Sequence, residues 1–280
     1  MNNPAALPGL LGDTAARNYA HKLKLFNAFA KPEISRAIAS LELKPGMRVL
    51  DAGCGTGEVL RWLSPQIQPG GIAIGTDLAS AHLAAARTLA SRDTWLVQAD
   101  LLAAPFADAS FDLIWSSNVI HHLREPSAGV VFLANLLRPG GRVAMGQSSF
   151  LPDMYFAWDA RLERATNEAV RSYYRDRYQV NEKELTAVRA TVGLLRQTGF
   201  RNVTANTFMI ERVTPLSLED ENYLVEAIFR DTWGPRLQPY LSGEDYGELS
   251  RLCDPLHTDF ALRRPDFHFL QTFTLVIGEI

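Results

Sequence analysis

The stretch Val49–Glu58, VLDAGCGTGE, constrains this chain more than any other. A short apolar run, Val49-Leu50, ends in an acid, Asp51, and Gly53, Gly55 and Gly57 follow at alternate positions. A strand that enters a helix through such a turn lets backbone N–H groups approach a ligand closely, because glycine has no Cβ in the way. The surrounding residues decide which ligand.

From here the pattern alternates. Apolar strands are expected over Met47–Asp51, Ile72–Asp77, Thr94–Ala99, Phe111–Ser116 and Arg142–Ser148. Helices are expected over Glu58–Leu63, Ala79–Ser91 and Pro126–Leu137, with Pro69-Gly70-Gly71 and Pro139-Gly140-Gly141 as breaks. Continuous apolar strands separated by helices indicate a parallel α/β sheet covered on both faces. Before it, residues 1–12 read as mobile, and residues 14–41 as two helical pieces separated by Pro32. After it, residues 150–181 are rich in aromatics (Phe150, Tyr155, Phe156, Trp158, Tyr173, Tyr174, Tyr178) with interspersed arginines. Glu182–Thr198 carries Leu185, Val188, Val192 and Leu195 at helical spacing. Val203–Ile210 reads as a strand, residues 214–266 as short helical pieces among prolines, and Phe267–Ile277 as a closing strand.

Composition narrows the function classes. With 47% hydrophobic and 21% charged residues, the 280-residue chain has the balance of a soluble globular protein. The net charge of 28 − 31 = −3 favours neither nucleic acid nor an anionic membrane surface. Two cysteines, Cys54 and Cys253, make no disulfide framework and fit a reducing compartment. The N-terminus has no basic region and Pro8-Gly9 breaks its apolar run, so no signal peptide is expected. No uncharged apolar run reaches the ~18 residues of a membrane span. The expected location is cytoplasmic.

The glycine turn is not a dinucleotide fingerprint, which needs a third small residue where Glu58 stands. No Gly-Lys-Ser/Thr follows, so it is not a Walker loop. It suits a ligand that is not polyanionic. Asp77 ends the second strand, 77 − 57 = 20 residues after Gly57. It can accept both hydroxyls of a ribose, or cap the helix that follows, and the two roles are compatible. Asp100-Leu101 closes the third strand; the acid can accept from an exocyclic amine while Leu101 packs on a purine. Asp51, Asp77 and Asp100 thus end three successive strands, at the sheet edge where open α/β folds bind ligands.

Taken in order and spacing, VLDAGCGTG, IGTDLA, VQAD-L, FDLIWSSNVIHHL and LLRPGGRVAMG resemble the motifs of class I S-adenosylmethionine-dependent methyltransferases, in particular the small-molecule branch. The resemblance covers roughly 44–149, and 182–210 more loosely. It implies a doubly wound, seven-stranded, mostly parallel Rossmann-like sheet of order 3-2-1-4-5-7-6, with helical lid insertions. The chain then divides into an N-terminal helical lid segment (1–32), a cofactor-binding core (33–149), a lid insertion (150–181), core completion (182–213), a second helical insertion (214–266) and a terminal core strand (267–280). S-adenosylmethionine is the implied cofactor and S-adenosylhomocysteine its product. By resemblance, Gly53 and Gly55 border the methionine portion, Asp77 holds the ribose, and Asp51, Cys54 and Leu78 also bind the cofactor. Asp100 and Leu101 hold the adenine, and backbone around Asn118 nears the amino-acid end. His82 departs from the pattern: relatives carry a bulky apolar residue there over the adenine, where an imidazole can also stack. The cofactor is a sulfonium zwitterion without phosphates, so Glu58 does not repel it.

If the segment after the fourth strand starts a helical turn, Asn118 and His122 share a face and His121 points about 100° away. His122 is then the candidate general base for a substrate hydroxyl or amine, with His121 as the other candidate. Phosphoethanolamine methyltransferases pair a histidine here with an N-terminal tyrosine, for which Tyr19 is the counterpart. Each of the three can equally serve in packing or capping. The fourth strand lacks the Asn/Asp-Pro-Pro-aromatic motif of base and glutamine methylation, a cysteine for cytosine chemistry, and the Asp of magnesium-dependent catechol enzymes. No metal and no nucleic-acid partner are expected. Residues 150–181 follow the fifth strand and are expected to form a lid over the substrate, while 214–266 either joins the lid or builds a homodimer contact. The implied reaction is methyl transfer to an O, N or C nucleophile of a small, largely apolar molecule. A protein or nucleic-acid methyltransferase, a nicotinamide enzyme and a non-methylating cofactor binder are the rival readings.

Overall fold

The computed structural model describes residues 11, 14–16, 18–148, 155–156, 159–180 and 190–280. The expectations for residues 1–12 other than Leu11, for Phe150 and Trp158, and for Leu185 and Val188 lie outside the described residues.

The strands are β1 (Arg48–Ala52), β2 (Ile72–Asp77), β3 (Thr94–Gln98), β4 (Phe111–Ser117), β5 (Leu137–Ser148), β6 (Tyr155–Phe156), β7 (Arg201–Val213) and β8 (His268–Glu279). Their order is β3-β2-β1-β4-β5-β8, with β7 on the far side of β8. The two-residue β6 pairs with β8 at Leu270 and Phe269. Apart from β6, this is the expected seven-stranded arrangement. β1 to β5 run parallel, and β8 is antiparallel to both β5 and β7.

Both faces are covered, which is why the strands read as continuous apolar runs. Leu50, Ile114 and Val143 pack with Val130, Leu133 and Leu136 of helix α5 (Pro126–Leu136). Val49, Leu113, Trp115 and Ala144 pack on the other face, in a cluster with Phe29 of α1 (Ala20–Phe29), Ile34 and Ile38 of α2 (Lys31–Ala39), and Leu60 and Leu63 of α3 (Glu58–Leu63). Each large side chain buried this way contributes roughly 1.5–3 kcal/mol.

Several boundaries differ from expectation. The first helix starts at Ala20 rather than residue 14, and Ala30 breaks it from α2. Pro32 lies in the first turn of α2, where its missing N–H leaves no bond unmade. The fourth helix, α4, is confined to Ser80–Arg87. Pro139-Gly140-Gly141 lies inside β5 as a register shift between the pairs Phe111–Leu137 and Leu113–Arg142. β7 outruns Val203–Ile210 because β8 offers it a paired edge from Glu279 to His268.

The insertions pack on one another. Helix α6 (Ala160–Tyr178) places Arg161 against Asp245 and, at 3.0 Å, Glu248 of α10 (Gly243–Cys253). The Tyr173 ring meets Tyr240 edge-on and Arg236 of α9 (Gly234–Leu237) lies over it. The described part of 182–198 is α7 (Thr191–Gln197). Helix α8 (Leu218–Asn222) continues into a π-helix, Tyr223–Trp233, which supports α1. Lys22 reaches Asp231 and Thr232, His21 lies 2.7 Å from Glu226, and Phe29 stacks on Tyr223. Among the described residues no helix is long and apolar enough to cross a membrane.

Candidate functional site

A cavity of about 610 Å³ opens at the carboxyl ends of β1, β2 and β4, under residues of the 14–27 segment. Its wall includes Asp51, Gly53, Cys54 and Gly55 from β1 and the glycine turn. Asp77, Leu78 and His82 follow β2, Asp100 and Leu101 follow β3, and Asn118 and His122 follow β4. Tyr19 comes from the N-terminal side. His121 is not part of the wall. Neither α6 nor residues 214–266 line it, and α6 packs on the second insertion instead. Tyr173 meets Tyr240 there, while Tyr174 and Tyr178 pair with one another along α6.

The glycine turn is closed from outside as well as inside. Gly53 has φ +83°, and a Cβ on it would lie 2.2 Å from Val119. The Thr76 carbonyl accepts the N–H groups of Gly53 (2.8 Å) and Cys54 (2.9 Å). Asp77 accepts from Gly55 N–H through Oδ2 at 2.9 Å and from Ala79 N–H through Oδ1 at 2.8 Å. It therefore ties the entry of α4 while remaining on the wall. His82, almost wholly buried, lies 3.2 Å from Asp77 Oδ1 through Nδ1 and accepts Tyr19 N–H at Nε2, 3.4 Å away. A backbone N–H can only donate, so the imidazole proton sits on Nδ1 and points at Asp77. Tyr19 stands edge-on to this ring, centroids 4.4 Å apart.

After β4 the chain does not start a helix at Asn118. Asn118 is left-handed, φ +55°, and a 3-10 turn spans only Ile120–His122. Asparagine tolerates this conformation, and its Oδ1 is held by Gln147 Nε2 (2.8 Å), Ser148 N (2.9 Å) and Ser148 Oγ (2.9 Å). The shared face expected for Asn118 and His122 is thus replaced by a kink, which still leaves both on the wall. His121 turns toward β5, Nδ1 lying 3.2 Å from Gln147 Oε1, with its ring 4.2 Å from that of His122.

The wall is acidic: Asp51, Asp77, Asp100 and Glu125 face one guanidinium, Arg124, and no lysine. Burial, followed by the charges of Asp77 and Glu58, pushes the Asp51 carboxyl up to about 8. Among the described residues its Oδ2 has no hydrogen-bond partner, nor do Thr76 Oγ1 and Trp115 Nε1, all three on wall residues. Burial, then Asp51 and Asp77, keep Cys54 a thiol, so it is no nucleophile. Glu58 turns away to accept from Asn27 Nδ2 (3.0 Å) and Thr56 Oγ1 (2.5 Å). Sequence reasoning missed Leu23, Phe26 and Asn27 of α1, Trp115, and Arg124-Glu125 on the wall. The apolar face of α1 is visible in the sequence, but nothing local says which sheet edge it covers.

Residues 50–145 match a family described as a methyltransferase domain. Malonyl-[acyl-carrier protein] O-methyltransferase of Enterobacter lignolyticus is 35% identical over 136 residues, 48% of this chain and 53% of that protein. The 27-O-demethylrifamycin SV methyltransferase of Amycolatopsis mediterranei is 32% identical over 120 residues, 42% and 44% of the two chains. The chain spans about half the length of these curated relatives. Among solved structures, the YcgJ protein of Bacillus subtilis superimposes with a TM-score of 0.54 at 18% identity, over 89% of this chain and 98% of that one. By this match, residues 50–145 of the chain are a methyltransferase domain, set in the β3-β2-β1-β4-β5-β8 sheet described above.

Proposed function

We propose that this protein transfers the methyl group of S-adenosylmethionine to an oxygen of a small, largely apolar molecule. The acidic cavity wall carries the reading: four carboxylates against one guanidinium suit a cationic sulfonium and ammonium ligand and oppose a polyphosphate. The unpartnered, buried Asp51 Oδ2 fits such a cation. Asp77 would hold the ribose with Leu78 beside it, Asp100 and Leu101 the adenine, and Gly53, Cys54, Gly55 and Asn118 the methionine portion. His82 serves as the brace between Asp77 and the Tyr19 segment. When bound, the cofactor supplies an electrophilic methyl group on sulfur.

The protein's part is mainly positioning. Leu23 and Phe26 of α1 lie on the cavity wall; with cofactor and acceptor bound they would exclude water and favour a collinear displacement in a desolvated cleft. His122, on the wall, would take the proton of an acceptor hydroxyl. Oxygen is favoured over nitrogen or carbon because one of the two curated relatives is named an O-methyltransferase and the other acts on a 27-O-demethyl compound. Incubating the protein with S-adenosylmethionine and a panel of hydroxylated and carboxylated small molecules, with detection of S-adenosylhomocysteine, tests the reading. A protein that binds neither cofactor nor product in calorimetry would overturn it.

A further inference from the structure

Thr14, Ala15 and Tyr19, which lead into α1, belong to the cavity wall. Two hydrogen bonds tie them to the start of α4. The Ala15 carbonyl accepts Ser80 N–H at 3.2 Å, and Tyr19 N–H donates to His82 Nε2 at 3.4 Å. The second bond fastens the residue just before α1, the helix that brings Leu23, Phe26 and Asn27 to the same wall. A backbone carbonyl accepts at any pH, whereas an imidazole nitrogen accepts only while it carries no proton. His82 also meets Asp77 through Nδ1, so both ring nitrogens are committed when the ring is neutral. A proton on Nε2 would turn the acceptor into a donor aimed at the Tyr19 N–H, while Asp77 supplies the counter-charge for the imidazolium.

We propose that His82 is a proton-operated latch for cofactor exchange: neutral, it holds the entry of α1 on the cavity; protonated, it keeps Asp77 and releases Tyr19. Histidine is the side chain whose charge ordinarily changes between about pH 5 and pH 8. Asp77 on β2 and Tyr19 before α1 are the ionisable residues in contact with the ring among the described residues. α4 has no acid in its first turn, and its cation, Arg87, stands in its last. β3, packed on α4, carries no ionisable side chain. On α1, also packed on α4, His21 and Lys22 turn to the π-helix and Lys24 is exposed. Asp51 and Asp100 share the cavity wall. The latch rests on the cofactor reading above only for what the cavity releases.

Two measurements test it, the first without any ligand. Amide hydrogen exchange of Tyr19, corrected for the intrinsic pH dependence of exchange, should show at least ~5-fold less protection at about pH 5.5 than at about pH 8. In His82→Gln, whose side chain takes up no proton, protection should change by less than ~2-fold over the same range. The second measurement reads the cavity. Stopped-flow displacement of S-adenosylhomocysteine should speed up at least ~5-fold from the higher to the lower pH in the wild type and stay within ~2-fold in His82→Gln. Constant Tyr19 protection in the wild type overturns the latch. So does an undiminished pH effect in His82→Gln, which would put the titration on Asp51 or His122 of the same wall. Failure of the cofactor reading looks different: Tyr19 protection then still follows pH through His82, while no S-adenosylhomocysteine binds.

Discussion

The Asp77 carboxylate accepts the Gly55 N–H at 2.9 Å, so the acid proposed for the ribose also holds the glycine turn. The same group takes Ala79 N–H and the His82 imidazole. Asp77→Ala would remove all three hydrogen bonds together, and the loss of stability, about 1–3 kcal/mol, would blur any effect on binding. Asp77→Asn keeps one carbonyl oxygen for the turn. It should unfold within a few degrees of the wild type yet bind S-adenosylhomocysteine ~10-fold more weakly. Wild-type affinity in calorimetry would remove the ribose role.

Asp51 makes the unliganded protein pH-sensitive. Its folded-state value of about 8 lies far above the ordinary 3.8, so the folded chain holds a proton that the unfolded chain releases. Stability of the free protein should therefore fall as pH rises from about 4 to about 8. Asp51→Asn cannot ionise. It should melt at least ~2 °C above the wild type at pH 8, while binding S-adenosylhomocysteine more weakly because the anion facing the ammonium is gone. The wild type should release a proton on binding, visible as a dependence of the binding heat on buffer ionisation enthalpy. No buffer dependence would mean that Asp51 does not meet the cation.

The core was legible in the sequence because its signals are local. Apolar runs such as Leu113-Ile114-Trp115 and the breaks between them need no tertiary information, and Asp51, Asp77 and Asp100 end or follow strands that share one edge. The kink at Asn118 was not legible: its left-handed backbone depends on Gln147 and Ser148, which lie far along the chain on β5. The aromatics of α6 suggested a lid, but periodicity does not reveal that Tyr173 packs on Tyr240. Glu58 is legible as a residue that a dinucleotide turn would not carry, but its task here, accepting from Asn27, requires knowing where α1 lies.

That contact fastens α1 over the cavity. Asn27→Ala leaves the Thr56–Glu58 bond in place and removes the tie to the roof. The pair is partly buried, so melting should shift little, by less than ~1.5 kcal/mol. The dissociation rate of S-adenosylhomocysteine in stopped-flow displacement should rise several-fold. An unchanged rate would show that the Lys22 and His21 contacts to the π-helix suffice to hold the roof.

Arg212 secures the base of the same roof. Its guanidinium reaches Glu33 (3.1 Å), Asp220 (2.7 Å) and the Phe29 carbonyl at the end of α1 (2.6 Å). Both carboxylates are largely buried. Arg212→Met would leave buried Asp220 without its cation and Glu33 with only the more exposed Arg36, 3.5 Å away, a loss of about 3–5 kcal/mol. The triple variant Arg212→Met, Glu33→Gln, Asp220→Asn should recover much of this in urea denaturation. If the single variant is no less stable than the triple, the cluster is not what holds α2 to β7.

His122 and His121 can be separated by their surroundings. His122 lies on the cavity wall, whereas His121 faces Gln147 and braces the loop. Only a wall residue can reach an acceptor proton, so His122→Ala should lower kcat by ~10²–10⁴ with any acceptor that carries one. Affinity for S-adenosylhomocysteine should stay within ~3-fold, because the cofactor-binding set is intact. His121→Asn should act the other way, loosening Asn118 through Gln147 and weakening cofactor affinity more than turnover. Single-turnover rates at saturating cofactor, compared with calorimetric affinities, separate the two patterns. A full rate in His122→Ala would mean that alignment alone carries the transfer.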